Sequence, residues 1–207
     1  MTLDHTKIRA GIVGAGLMGP WHARAIKGAG GHLVGVADID AERTTQLVSR
    51  FPAARGYGDV DEMLARTGLD VLHICTPVKS HREIAELAIG AGVNLIVEKP
   101  LFQNAGETIR LYELAEKHRV SVLPVHQFPF QRGATKARAS ITRIGRLIHM
   151  QASICSAGGD GLDDVEKDRI AADIVPHPLS LFQSILDGLL PTDNWVVSRP
   201  SSGELRM

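Results

Sequence analysis

Cysteine is scarce in this chain of 207 residues: Cys75 and Cys155 are the only two, and they show no C-x-x-C spacing. That spacing excludes a disulfide framework and a cysteine-rich zinc site, and it fits a reducing compartment, so a cytoplasmic location is expected. Neither sign of charge dominates, with Lys+Arg 23 against Asp+Glu 23 and a pI near 7.1. A neutral balance argues against nucleic acid or an anionic membrane as partner. No apolar run reaches membrane-spanning length, and the first residues, MTLDHTK, lack the apolar core of a signal peptide. Internal repeats and low-complexity stretches are absent too. His5, His22, His32, His73, His118 and His149 share no spacing and no cluster with acids, so no metal site is expected.

What is present is ample apolar content. At 44% hydrophobic, the chain suits one large domain or one and a half ordinary ones. Apolar runs of strand length lie at 8–13, 33–37, 71–75, 94–97 and 120–123, and helix-compatible segments at 17–29, 41–50, 60–66, 80–91 and 105–118 alternate with them. In the segment 80–91, Ile84, Leu87, Ala88 and Ala91 follow i, i+3, i+4, i+7 and define the expected buried face. Near-continuous apolar strands separated by helices predict a parallel, doubly wound α/β sheet covered on both faces, with ligands at the carboxyl ends of its strands. The first domain is expected over 1–123 and a second over 124–207.

The segment GIVGAGLMG follows the first apolar run and places Gly14, Gly16 and Gly19 in G-x-G-x-x-G spacing. Gly14 permits the tight turn, Gly16 lets the backbone approach a pyrophosphate, and Gly19 lets the helix pack on the strand. Leu17 and Met18 complete the turn, whose helix N-terminus offers N–H groups to phosphate. Asp38 closes the run LVGVAD nineteen residues past Gly19. A carboxylate there accepts hydrogen bonds from ribose hydroxyls and repels a 2′-phosphate, so NAD(H) is the preferred cofactor. Arg43, one helical turn on, leaves NADP(H) open. The alternative role for Asp38 is a cap on the helix beginning near Ala41.

Two further loops carry chemistry. VLHIC runs into Thr76-Pro77 and then VKSHREIAELAIGAG, while NLIV runs into Glu98-Lys99-Pro100. With the glycine turn, these segments resemble, in order and spacing, the Gfo/Idh/MocA oxidoreductases, the glucose–fructose oxidoreductase and inositol dehydrogenase group. The resemblance covers roughly residues 7–190 and is strongest over 8–125. It implies that Lys99 sits where nicotinamide meets substrate and polarises the reacting oxygen, with Glu98 orienting the lysine. Thr76, Pro77 and His81 are implied to lie near the cofactor, and a cis Lys99–Pro100 bond is expected. The alternatives are a solvated pair for Glu98-Lys99 and a cap or surface role for His81.

The second domain begins near HQFPFQR, where Gln127 and Pro129 stand in place of an Asn and an Arg usual in the family. A strand is expected over GRLIHMQASI, residues 145–154, followed by a polar loop and then AADIVPHPLSLFQSILDG. Asp173 and His177 are spaced i, i+4 there, which puts them on one helical face. The stretch resembles the family's D-I-G-x-H-P segment, with Val175 at the glycine position. The resemblance implies that His177 is the general acid/base and that Asp173 binds or orients substrate. The alternative is a capping Asp173 and a half-buried structural His177. Relatives are longer and close their second domain with a broad sheet, so 124–207 reads as a partial α+β domain that associates with a second copy. The expected function is hydride transfer to or from a carbon bearing a hydroxyl or carbonyl in a small polar substrate. The other readings are a non-catalytic nucleotide-binding protein, and a lyase or hydrolase that recycles bound NAD.

Overall fold

A computed structural model of the chain describes residues 8–155 and 161–186 and positions 196 and 198. They divide into two compact units, one ending at Val125 and the other beginning at His126.

The first unit is a six-stranded parallel sheet. Its strands are β1 (Arg9–Val13), β2 (His32–Ala37), β3 (Arg55–Tyr57), β4 (Val71–Ile74), β5 (Asn94–Val97) and β6 (Val122–Pro124), in the spatial order β3-β2-β1-β4-β5-β6. Every neighbouring pair is parallel. The helices between them are α1 (Gly19–Gly28), α2 (Ala41–Val48), α3 (Val60–Thr67), α4 (His81–Gly90) and α5 (Ala105–His118). The central strands are apolar on both sides because both sides are covered, whereas the edge strands β3 and β6 each expose residues to solvent. Ala10, Ile12, Leu33 and Val36 pack with Ala23, Ile26 and Leu47 of α1 and α2. Val13, Leu72, Ile74, Leu95 and Val97 pack with Met63, Ile84, Ala88 and Leu111 of α3, α4 and α5. Reversal of strand order between β1 and β4 opens a crevice at their carboxyl ends, where ligands of such sheets bind.

Two details depart from the sequence reading. The three-residue β3 has no counterpart among the expected strands, because RGY is too short to show a period. The buried side of α4 is formed by His81, Ile84, Ala85, Ala88 and Ile89, whereas Leu87 is 36% exposed and Ala91 lies outside on the surface. Residues at i, i+4 and i+8 carry that stripe, so the expected face was rotated by part of a turn.

In the second unit the described regular elements are helical: α6 (Arg132–Ser140), α7 (Asp164–Ile174) and α8 (Pro176–Leu186), with short 3₁₀ turns at Phe128–Phe130 and Ile141–Arg143. The strand expected at 145–154 does not form; these residues take no regular structure. Among the described residues no strand lies beside them to accept their backbone hydrogen bonds, and an apolar run without a partner strand has no reason to stay extended.

Candidate functional site

The glycine turn joins β1 to α1 at the crevice, and each glycine answers a different demand. Gly14 has φ +94°, and a Cβ there would lie 2.7 Å from the carbonyl carbon and oxygen of Cys75. It is the point where the loops after β1 and β4 pass each other. A Cβ on Gly19 would lie 2.5 Å from the Gly14 carbonyl oxygen, which closes the turn onto the helix. Gly16 is different: its nearest neighbour is Nη1 of Arg43, 3.8 Å from where a Cβ would be. The fold does not require glycine at 16, and the backbone there presents an open face. Leu17 is 85% exposed, and Met18, half-buried, is the N-cap of α1.

The start of α1 carries neither a side-chain cap nor an acid in its first turn. By contrast, Asp40, Asp59 and Asn104 cap α2, α3 and α5 through hydrogen bonds from backbone amides. A helix N-terminus left with its partial positive charge, opening onto a glycine turn, fits a phosphate.

Asp38 directly follows β2, beside this turn. Its Oδ2 accepts from the Ala15 amide over 2.6 Å and its Oδ1 from the Asp40 amide over 2.8 Å. The cap of α2 is Asp40, which accepts from the amides of Glu42 and Arg43, so Asp38 does not serve as that cap. Arg43 pairs with Asp40 at 3.1 Å, and its guanidinium reaches over the glycine turn beside Gly16.

The loops after β4 and β5 form the other half of this edge. Thr76 is half-buried and Pro77 exposed. His81 is neither a cap nor a surface residue: it is 1% exposed, with Nε2 2.8 Å from the Thr76 carbonyl and Nδ1 3.1 Å from that of Leu101. Its ring thereby ties the loop after β4 to the loop after β5. The Lys99–Pro100 peptide is cis. Lys99 is half-buried, while Glu98 is buried and accepts the Lys99 amide at Oε2 over 3.1 Å.

Glu98 also has a partner that sequence reasoning missed. Nε2 of His22, in the first turns of α1, lies 3.0 Å from Glu98 Oε1, and His22 Nδ1 lies 2.8 Å from Nδ1 of His73 on β4. The statement that His22 and His73 cluster with no acid is therefore corrected: sheet order brings both to Glu98. The one available signal was His22 lying three residues beyond Gly19, on the inward side of α1. Burial raises the Glu98 carboxyl, but the hydrogen bond and charge of His22, with the amide and ammonium of Lys99, outweigh that and hold it below its ordinary value. Burial and the neighbouring His22 push His73 down to about 3, so its ring is neutral. Burial, with Glu98 nearby, also raises the Cys75 thiol, which stays protonated and unreactive. Among the described residues no group of three or more metal-ligating side chains is placed to hold a metal ion, and no helix is long and apolar enough to cross a membrane.

In the second unit Asp173 lies exposed near the end of α7 and His177 half-buried in the first turn of α8. Val175 is helical (φ −50°, ψ −38°), and Pro176 opens the next helix directly after it. The Phe128 ring stacks on the His177 imidazole, with centroids 4.5 Å apart and planes 11° from parallel. Phe128 stands in the HQFPFQR segment and was not foreseen as a partner of His177. Burial lowers the pKa of His126 in the same segment.

A family model described as an oxidoreductase family with an NAD-binding Rossmann fold, GFO_IDH_MocA, matches residues 8–126. Inositol 2-dehydrogenase of Corynebacterium glutamicum strain R is 30% identical over 112 residues, which make up 53% of this chain and 33% of that enzyme. UDP-N-acetylglucosamine 3-dehydrogenase of Acidithiobacillus ferrooxidans is 35% identical over 114 residues, 55% of this chain and 35% of that enzyme. The crystal structure of the WlbA dehydrogenase from Chromobacterium violaceum, in complex with NADH and UDP-GlcNAcA, matches with a TM-score of 0.61 and 26% identity, over 69% of this chain and 41% of the other. The chain spans about a third of the length of the curated relatives it matches.

Proposed function

Because this chain belongs to the Gfo/Idh/MocA oxidoreductase family, we propose that it is an NAD(H)-dependent oxidoreductase acting on a carbon that bears a hydroxyl or carbonyl in a small sugar, polyol or derivative. One observation carries the reading. The uncapped start of α1, the open face of Gly16, the preset carboxylate of Asp38 and the half-buried Lys99 all lie at the carboxyl edge of one parallel sheet. Relatives named for inositol and for UDP-N-acetylglucosamine support a polyhydroxylated substrate.

The turn Gly14–Gly19 and the α1 terminus would hold the pyrophosphate, and Asp38 the adenosine ribose. NAD(H) is preferred, and Arg43 leaves room for NADP(H). When bound, the nicotinamide supplies hydride exchange. The chain's part is electrostatic: an ammonium at Lys99 hydrogen-bonds the reacting oxygen and stabilises the negative charge that gathers there. The family resemblance gives proton transfer to His177, a residue type suited to it near neutral pH, and orientation to Asp173. Thr76, Pro77, Leu17 and Met18 would line the cofactor site, while Glu98 and His81 shape it from beneath.

We also propose a cytoplasmic location, on the scarcity of cysteine, and association of copies through the second unit. There Ile144 and Ile148 are 73% and 85% exposed and would be covered by a second copy. Sedimentation showing only monomer at micromolar concentration would remove the latter.

The test is NADH titration followed by assay on polyol, sugar and amino-sugar panels. Trp21, on α1 and 60% exposed, should transfer fluorescence energy to a bound nicotinamide. Tight binding without turnover would make the protein a non-catalytic nucleotide binder. Turnover in which tightly held NAD emerges unchanged would make it a lyase or hydrolase.

A further inference from the structure

Three groups from three separate elements meet beneath the glycine turn: His73 on β4, His22 on α1 and Glu98 after β5, joined at 2.8 and 3.0 Å. All three are buried. A buried polar chain of this kind is costly unless each member is satisfied. The two ends of the chain are not alike. Glu98 as a carboxylate only accepts, so Nε2 of His22 must donate to it. Nδ1 of His22 then meets His73, a neutral ring that can either donate or accept depending on its tautomer. With His22 neutral, His73 donates to it; with His22 protonated, His73 takes the other tautomer and accepts. In both states the Nε2–H of His22 stays aimed at Glu98. His73 thus makes the donor permanent.

Glu98 spends its other oxygen on the amide of Lys99, and the Lys99 ammonium is close enough to favour its ionised form. We infer that His22 is a positioning residue for Lys99: by donating to Glu98 it holds that carboxylate ionised and oriented, and Glu98 in turn sets the backbone and the charge environment of the lysine. Since His22 stands on the helix whose N-terminus faces the phosphate cradle, the same residue links the dinucleotide helix to the lysine loop. The importance of Lys99 rests on the function proposed above, but the coupling of the three residues does not.

The full chain carrying His22→Leu, His22→Gln or Glu98→Gln tests this without any substrate. Glutamate enriched in ¹³C reports protonation of Glu98 by infrared titration, with Glu98→Gln identifying its band. Mass spectrometry measures how much of Lys99 an amine-reactive reagent labels at fixed pH. In His22→Leu the Glu98 carboxyl should take up its proton at a pH about one unit or more higher, and Lys99 labelling should rise because the carboxylate loses its fixed orientation toward the ammonium. Glu98→Gln should change the labelling in the same direction. Glutamine at 22 keeps an N–H for Glu98, so His22→Gln should restore most of both signals. An unmoved Glu98 titration in folded His22→Leu would overturn the inference. So would a His22→Gln variant as perturbed as His22→Leu, because ring packing alone would then be the cause. Should His22→Leu fail to fold, wild-type Lys99 labelling in Glu98→Gln decides against it. Lack of turnover in the wild-type chain would defeat the proposed function and leave these measurements intact.

Discussion

The amide of Ala15 donates to Oδ2 of Asp38 over 2.6 Å, so the glycine turn is tied to the end of β2 by the very carboxylate that would meet the ribose. Asp40 donates to the other oxygen. Both bonds hold the carboxylate ready and leave a lone pair on each oxygen for a hydroxyl.

Asp38 therefore has two jobs, and two substitutions separate them. Asp38→Ala should bring NAD(H) and NADP(H) affinities closer by about 1.5–3 kcal/mol, the scale of a hydrogen bond to a charged group, and should weaken both by loosening the turn. Asp38→Asn keeps an acceptor for Ala15 while removing the charge, so it should narrow the gap with less overall loss. Fluorescence titration of both cofactors measures this. Equal wild-type affinities would take Asp38 out of cofactor selection.

Gly14 and Gly16 should behave oppositely when each becomes alanine. Gly14→Ala forces a Cβ against the Cys75 carbonyl at a φ of +94° and should lower stability by at least about 1–3 kcal/mol. Gly16→Ala meets nothing closer than Arg43 at 3.8 Å, so its thermal midpoint should stay near wild type while NADH binding falls. Unchanged NADH affinity in Gly16→Ala would show that the phosphates do not lie against that residue.

Lys99→Ala should lower turnover by about a hundredfold or more, the usual scale for a lost oxyanion partner, and His177→Ala by a similar factor for a lost acid/base. Cofactor affinity should change little in either, since neither residue stands at the glycine turn. Full activity in His177→Ala would return that residue to packing against Phe128.

Acidification should destabilise the native chain. Between the lowered His73 value of about 3 and its ordinary 6.5, the unfolded chain binds a proton that the native chain does not, so stability rises with pH in that window. Glu98 acts in the same sense: its contribution is present above the ordinary carboxylate value and lost as pH falls through the lower native one. Urea unfolding should show about 1–2 kcal/mol less stability near pH 5 than near pH 7 from His73 alone. His73→Leu should flatten that difference. An equally steep loss in His73→Leu would place the titrating group elsewhere.

Much of the first unit was legible because its signals are local. Five of six strands are continuous apolar runs, and a strand buried on both faces needs nothing else. β3 escaped notice because three residues show no period, and the α4 face was misplaced because alanine serves either side of a helix. GRLIHMQASI has strand composition, but a strand exists only with a neighbour to share its backbone hydrogen bonds.

By itself the sequence determined the glycine spacing, the acid at the end of the second strand and the lysine loop, because each of these is a demand on the backbone within a few residues. Only the tertiary structure decided that His22 meets His73 and Glu98, which are 51 and 76 residues further along the chain. The strand order β3-β2-β1-β4-β5-β6 sets β4 beside β1 and β5 beside β4. Periodicity records which side chains face inward; which of them touch follows from the order in which the strands pack.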